Sequence, residues 1–468
     1  MEQNNLQGSI DRRGAWPILI SVCCGFFALC LDFLFSVSTV LLDPTFLGGF
    51  GRMILQIGAV SALAGGTGLA VAELVLRNEW CAQSMTRFLR LGRWLPFFVV
   101  WAAPIWWIHW SKHLAAPPWT ETILQVGIAM FPTVLFTSSY SYLSTRHTLQ
   151  VTRRTAVFTT LTSVLSEVLL LTFLLQVMLF KNGWQWFAPD YYWIARPAAA
   201  GLLVSGCSFF LYWISGPGFT KTAKMSGVTS INQLRNCSGI SCWGAVFLWL
   251  LCFALWDRLF VLIRDVFTIP PIRAVTRAGY RLLTSGSVLA NFQEPLWPHV
   301  AASAQELAAG VVLSSIVAFI AVKILRAVAG SAILSSGLFA VIHLVPILFA
   351  ILLLPWIGVG LLFKAVTVAA VSCLPVLQAL WGLRDQPLAS RILLALENAL
   401  PYAFLGMLFG EMYASTAGLG FLIVVARAEG KIPEALATSL ITFALMVAVS
   451  FTLRFAAKRI CISKAVAN

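Results

Sequence analysis

Gly410-Glu411-Met412-Tyr413-Ala414-Ser415-Thr416-Ala417-Gly418-Leu419-Gly420-Phe421-Leu422-Ile423-Val424-Val425-Ala426-Arg427 decides the reading of this chain. An apolar helix enters the stretch carrying one carboxylate, Glu411. It then meets Ser415, Thr416, Gly418 and Gly420. Glycine costs about 1 kcal/mol against alanine inside a helix, so two so close together favour a sharp turn. The apolar run 421–428 that follows is too short to cross a bilayer, and Gly430 and Pro433 mark the start of a further long helix. The stretch therefore reads as span end, turn, short re-entrant piece and new span. Irregular backbone at membrane depth survives only where protein or a wet cavity covers it, so the stretch belongs on an internal path and not on a lipid face.

The surroundings agree. Of 468 residues, 59% are hydrophobic and 11% are charged, against about 25% charged in a soluble domain. The apolar residues come in long blocks separated by basic patches, the pattern of a polytopic helical membrane protein embedded in a lipid bilayer. The 18 tryptophans fit interfacial belts, as at Trp106, Trp107 and Trp110. A net charge of +14 would suit nucleic acid, but the charges lie in short loops between spans and follow the positive-inside rule, which excludes that partner. The 10 cysteines show no metal-ligand spacing, and Cys23, Cys24, Cys30, Cys207, Cys252 and Cys373 sit in apolar runs as small core residues. The first apolar run has no cleavage site after it and reads as a retained span.

The fold expected is all-α, with about twelve spans of roughly 20 residues. They fall near 16–42, 53–76, 94–110, 123–143, 156–180, 192–214, 242–263, 300–320, 332–354, 357–380, 393–413 and 433–455. Loop charges put both termini on the cytoplasmic side, with basic loops at 77–93, 146–154, 323–326 and 384–391. The polar, basic segment 216–238 reads as a cytoplasmic linker between an N-terminal unit, 1–215, and a C-terminal unit, 239–468. The two units echo each other. Phe131-Pro132-Thr133-Val134-Leu135 parallels Leu374-Pro375-Val376-Leu377, Gln176-Val177-Met178 parallels Glu411-Met412, and Gly58 parallels Gly310. These matches suggest two six-helix repeats of the kind transporters use.

Four places in the second half carry a family resemblance. Glu411-Met412 with Ser415-Thr416-Ala417-Gly418-Leu419-Gly420-Phe421-Leu422-Ile423 resembles a segment of ABC-importer permeases of the nitrate/sulfonate/taurine type. Leu296-Trp297-Pro298-His299, followed by Ser303 and Gly310, resembles that family's entry to its second helix. Pro355-Trp356-Ile357-Gly358-Val359-Gly360, Lys364 and Pro375 resemble its "P-L…G-x-G-x3-K…F-P" pattern with the lysine-to-proline spacing kept. Gly382-Leu383-Arg384-Asp385-Gln386-Pro387 resembles the lead into the loop that rests on an ATPase. The Glu-Ala-Ala core of that loop is missing here, and it is also missing from 144–155 in the first half. The resemblance implies the permease subunit of a bacterial inner-membrane importer for a small anionic or organic solute. A cytoplasmic ATP-binding subunit would drive it and an outer substrate-binding protein would supply it. It implies that Glu411, Met412, Ser415, Gly418, Gly420 and Lys364 line the substrate path, and that Gly382, Leu383, Arg384, Asp385 and Pro387 couple to the ATPase.

Further residues invite two readings each. Arg273, Arg277 and Arg281 recur every four residues on a short amphipathic helix after Pro270-Pro271. They either reach toward headgroups or form an outer basic face for an anion or a partner. His299 reads as an interfacial cap or a proton-transfer group, and Lys364 either snorkels or meets an anion. Asp32, Glu73, Glu167, Asp257, Arg258, Glu397 and Glu411 lie in or beside apolar runs. Such groups face an interior, and Glu411 calls for a partner on another helix or a role in the path. No nucleophile triad, phosphate loop, metal cluster or cofactor motif is present, so no catalysis, metal or cofactor is expected of this chain. Two alternatives stand beside the importer: a secondary transporter with Asp or Glu as proton carriers, and a degenerate permease serving as a non-transporting partner.

Overall fold

The computed structural model describes residues 44–95 and 98, 133–144 and 146, 156–157 and 160, 239–263, 270–284, 296–327, 360–382 and 388–467. The expected spans near 16–42, 192–214 and 332–354, and the linker 216–238, lie outside the described residues. So do most of the spans near 94–110 and 156–180 and residues 123–132 of the span near 123–143. Among the described residues the chain is all-helical, with no strand. Its principal helices are α1 (Pro44–Val75), α2 (Glu79–Gly92), α3 (Gly239–Ile263), α4 (Ile272–Thr284), α5 (Leu296–Ala327), α6 (Leu361–Gly382), α7 (Leu388–Ala414), α8 (Leu419–Ala428) and α9 (Ile432–Ala467). Four of them, α5, α6, α7 and α9, are long and apolar enough to cross a membrane.

The interior is built around α6, which lies between α5 and α7. Small residues make this possible. Gly406 and Gly410, four apart on α7, lie against the α6 backbone at Val368 and Lys364, and Gly310 on α5 lies against Val368 and Ala365 from the other side. A Cβ at Gly406 would stand 2.9 Å from Val368 Cα and 3.0 Å from the Thr367 carbonyl oxygen; one at Gly310 would run into the Val368 side chain. Close approach of this kind replaces the hydrophobic drive that lipid cannot supply. α9 closes the core against α7 and α8, with Ala435, Leu436, Phe443 and Met446 buried there.

The outward faces are apolar. On α5 the buried stripe is His299, Ser303, Glu306, Gly310, Ser314 and Ala318, while Val312, Ile316 and Ile320 point out and are more than half exposed. Phe451 and Phe455 do the same on α9, and Phe247 and Leu250 on α3. Polar and small residues inside with large apolar residues outside is the arrangement of a helix bathed in lipid.

Residues 77–93, expected as a basic loop, are mostly helix. Asn78 caps α2, its Oδ1 accepting from the Trp80 N–H at 3.0 Å and the Cys81 N–H at 3.3 Å. Glu79 in the first turn and Arg90 in the last complement the helix dipole. One face, including Ala82, Ser84, Phe88 and Leu89, is buried against α3, where Phe88 meets Trp249 edge-on at 5.2 Å between ring centroids. The charged face hid this helix, because its arginines suit a loop by composition.

α2 also ties the two halves of the chain together. Arg90 forms an ion pair with Glu397 of α7, and Ser450 of α9 donates to the same carboxylate at 3.1 Å. Just beyond α2, Trp94 packs edge-on against Tyr402, Phe98 packs against Phe443, and Ser439 Oγ donates to the Phe98 carbonyl at 2.6 Å. Other acids expected inside also find partners. Asp257 accepts from the Ile272 N–H at 2.9 Å and so caps α4, and Glu73 accepts from the Tyr142 hydroxyl at 2.5 Å. Asp32 and Glu167 lie outside the described residues.

The parallel between Gly58 and Gly310 does not extend to their surroundings. Gly58 is exposed with open space around it, whereas Gly68 further along α1 lies in a close crossing, with the Ser139 hydroxyl donating to its carbonyl at 3.0 Å.

The Arg90–Glu397 pair gives a stability prediction. Arg90→Ala leaves a buried carboxylate without its cation and is expected to cost about 3–5 kcal/mol, while the double change Arg90→Met with Glu397→Leu is expected to cost far less. Denaturant titration of the purified chain in detergent distinguishes the two; equal losses would assign the effect to packing.

Candidate functional site

The three segments 296–303, 360–364 and 411–420 are separated in sequence by about 50 to 100 residues, and they converge on one buried polar cluster. Its centre is the start of α8. Gly418, the residue before that helix, has φ +122° and ψ 169°, a conformation that side chains rarely adopt. The next backbone N–H groups point back toward α5 and α7.

Each of the first three N–H groups finds a side-chain acceptor. The Gly418 N–H donates to His299 Nδ1 at 3.0 Å, the Leu419 N–H to Ser303 Oγ at 2.9 Å, and the Gly420 N–H to Glu411 Oε2 at 2.6 Å. The Ser303 hydroxyl in turn donates to Glu411 Oε1. A helix leaves its first N–H groups without internal partners, and burial makes an unfilled one costly. Here α5 supplies two acceptors, four residues apart on one face, and α7 supplies the third. Glu411 also places negative charge at the positive end of the α8 dipole. Because His299 Nδ1 accepts, the imidazole is neutral with its proton on Nε2. Its ring stacks on Phe421, with 16° between the planes.

The two glycines are explained by this geometry. A Cβ at Gly418 would collide with the Glu411 carboxyl group. One at Gly420 would stand 2.7 Å from the Leu408 carbonyl oxygen and 2.9 Å from Glu411 Cβ. Gly430, at the other end of α8, also has a positive φ of 72°, and the Lys431 N–H returns to the Ala426 carbonyl at 2.8 Å. A Cβ at Gly430 would meet nothing within 4 Å.

A second polar layer lies beside the first. Lys364, near the start of α6, forms an ion pair with Glu306 of α5 and donates to Ser415 Oγ at 2.7 Å. Ser415 Oγ also accepts from the Ala417 N–H at 3.1 Å, which pins the turn between α7 and α8. Lys364, Glu306, His299, Ser303 and Glu411 are all buried.

Of the residues expected to line a substrate path, Lys364, Glu411, Ser415, Gly418 and Gly420 are thus brought together, and Met412 is buried next to them in the core. Their polar atoms face one another. Glu411 has the inter-helix partner expected of it, in Ser303, and His299 caps a helix, although an internal one. Lys364 reaches an internal acid and not the interface.

Glu306 was missed by sequence reasoning. The available signal was its position: a lone acid in an apolar run, seven residues after His299 and four before Gly310, on the face those residues share. Of the residues expected to couple to an ATPase, Gly382 ends α6, while Leu383, Arg384, Asp385 and Pro387 lie outside the described residues.

The amphipathic helix expected after Pro271 is α4. It buries Val275, Ala278 and Leu282 and exposes Arg273, Arg277 and Arg281, the last 3.7 Å from Glu434. Among the described residues no group of three or more His, Cys, Asp or Glu side chains is placed to hold a metal ion.

Two glycine substitutions separate backbone strain from crowding. Gly418→Ala meets both and is expected to lower stability by on the order of 3 kcal/mol. Gly430→Ala meets only the positive φ and is expected to cost about 1–2 kcal/mol. Thermal unfolding in detergent ranks them, and an equal effect would mean that the Glu411 carboxyl moves aside freely.

Comparison with known proteins finds no matching family model, no matching curated protein and no matching solved structure.

Proposed function

We propose that this chain is the permease subunit of an ABC importer for a small anionic or organic solute of the nitrate, sulfonate or taurine kind. In this reading it sits in a bacterial inner membrane with both termini in the cytoplasm. About twelve spans form two six-helix repeats, 1–215 and 239–468, joined by the linker 216–238. A cytoplasmic ATP-binding subunit hydrolyses ATP, and an outer substrate-binding protein delivers the solute. Gly382, Leu383, Arg384, Asp385 and Pro387 face the ATPase, and the basic face of α4 lies outside.

One observation carries the proposal. Residues behind the family resemblance come from three separate segments, and they are one another's direct partners: His299 and Ser303 with Gly418 and Leu419, and Lys364 with Ser415. Motif residues that matched by chance would have no reason to meet. The cluster fixes a re-entrant helix at the end of α7, where irregular backbone needs protein cover. A re-entrant element of that kind forms one wall of a solute route, with Glu411 and the two glycines holding the wall in shape.

A secondary transporter is the second reading, favoured by the two buried acids Glu306 and Glu411 beside a single lysine. The missing core of the coupling loops favours that reading too, and a non-transporting degenerate permease is the third.

The test is purification of the intact chain from its native membrane, followed by uptake in proteoliposomes. The importer reading expects an ATPase to copurify and uptake to require ATP inside together with a binding protein outside. Uptake driven by a proton gradient without ATP would replace it with the secondary transporter. A copurifying ATPase that hydrolyses ATP without any uptake, tested with nitrate, taurine and alkyl sulfonates, would leave the non-transporting role.

A further inference from the structure

The buried cluster around Glu411 has an imbalance of charge. Four titratable groups face one another there: His299 and Glu306 from α5, Lys364 from α6 and Glu411 from α7. The start of α8 and the turn before it contribute only backbone N–H groups and the Ser415 hydroxyl. His299 is neutral because its Nδ1 accepts the Gly418 N–H. Among the described residues that leaves two carboxyl groups against one ammonium.

The oxygens can be followed one by one. Glu411 Oε1 accepts from Ser303 and Oε2 from the Gly420 N–H. Glu306 Oε1 accepts from Lys364. Glu306 is only 3% exposed, and among the described residues no hydrogen-bond donor reaches its buried Oε2. A bare carboxylate oxygen in such a place is costly. Glu306 and Glu411 are joined from two sides: Ser303, about one turn before Glu306 on α5, donates to Glu411, and Lys364 links Glu306 to Ser415 in the turn that follows Glu411. Two carboxylates sharing a dry site relieve both problems by keeping one proton between them. A metal ion would not serve as well, because the Lys364 ammonium already occupies the site and hard cations need several oxygens.

We propose that Glu306 and Glu411 form a proton-binding site that holds a single proton at neutral pH, shared by the pair and balanced by Lys364. The proton supplies the donor that the free oxygen of Glu306 lacks and brings the cluster to zero net charge. The site lies directly under the turn that starts α8, so proton occupancy and the shape of that turn are linked. This holds whether ATP or an ion gradient drives the protein.

Infrared difference spectroscopy on the full-length chain in lipid nanodiscs at neutral pH reads the protonated carboxyl band directly. Glu306→Gln and Glu411→Gln, each compared with the wild type, are both expected to remove the same band completely, because either change leaves the cluster a single carboxylate to balance the Lys364 charge. Lys364→Gln is expected to raise the band about twofold, since two acids then lack a cation. A wild-type spectrum that superimposes on both glutamine variants in this region would overturn the proposal. So would a band removed by only one of them, because the proton would then belong to a single residue. If one glutamine variant does not fold, the other together with Lys364→Gln still decides: loss in the one and gain in the other supports the shared proton, and any other pattern rejects it.

Discussion

Three hydrogen bonds to the first turn of α8 hold the described core together. A ten-residue helix that does not cross the membrane cannot be kept by its own propensity, and its leading N–H groups are buried. The chain meets this constraint by importing acceptors from two neighbours, His299 and Ser303 from α5 and Glu411 from α7. The consequence is mutual. α8 cannot form unless α5 and α7 are already beside each other, and α5 and α7 are held in register by the helix start they jointly cap. The glycine contacts of α6 with Gly310 and Gly406 set the spacing that lets this happen, because Lys364 and Glu306 sit about one turn beyond those contacts.

That dependence explains what was legible in the sequence. The turn at Ser415–Gly420 announced itself, since two glycines after an apolar helix leave few alternatives. The same holds for α8 as a short piece, for α4 as an amphipathic helix and for the long apolar helices, all of which follow from local pattern. Helix ends shifted by a few residues: α5 begins at Leu296, where 300 was expected, and α9 runs to Ala467. Partners were much less legible. Glu411 was singled out as an acid needing company, but nothing local says that the company is Ser303, more than 100 residues earlier. Glu306 was passed over because an acid among alanines on a helix resembles a solvated position. Only the shared face with His299, Ser303 and Gly310 reveals that it turns inward, and in a membrane helix that face is polar and small where a soluble helix would be apolar.

α2 failed for the opposite reason. Its burial pattern is amphipathic and its cap is a good one, yet arginines between two spans suggest a loop by the charge rule. The rule assigns a side of the membrane, not a conformation, and Arg90 shows the difference. Its guanidinium turns inward to Glu397 on α7, and the Ser450 hydroxyl shares that carboxylate.

The Arg90–Glu397 pair also constrains how any movement could occur. Glu397 and Glu411 lie on the same helix, α7, 14 residues apart, so each is tied to a different neighbour. Glu411 binds α7 to α5 and α8 within the second half of the chain, and Glu397 binds it to α2 from the first half. Separating α7 from α2 would strand a buried carboxylate, at a cost of about 3–5 kcal/mol. Separating it and α8 from α5 would leave the Gly418 and Leu419 N–H groups unmet and break the Ser303–Glu411 bond, at a comparable cost. A motion that keeps both sets of bonds carries α2, α5, α6, α7 and α8 together, and the Ser450 hydroxyl on Glu397 and the Ser439 hydroxyl on the Phe98 carbonyl tie α9 to the same body. α9 also meets this body through side-chain packing at Phe443 and Met446. Packing of that kind slides at less expense than a desolvated ion pair breaks. The interior therefore resists separation most where desolvated charged groups meet, at Arg90 with Glu397 and at the start of α8.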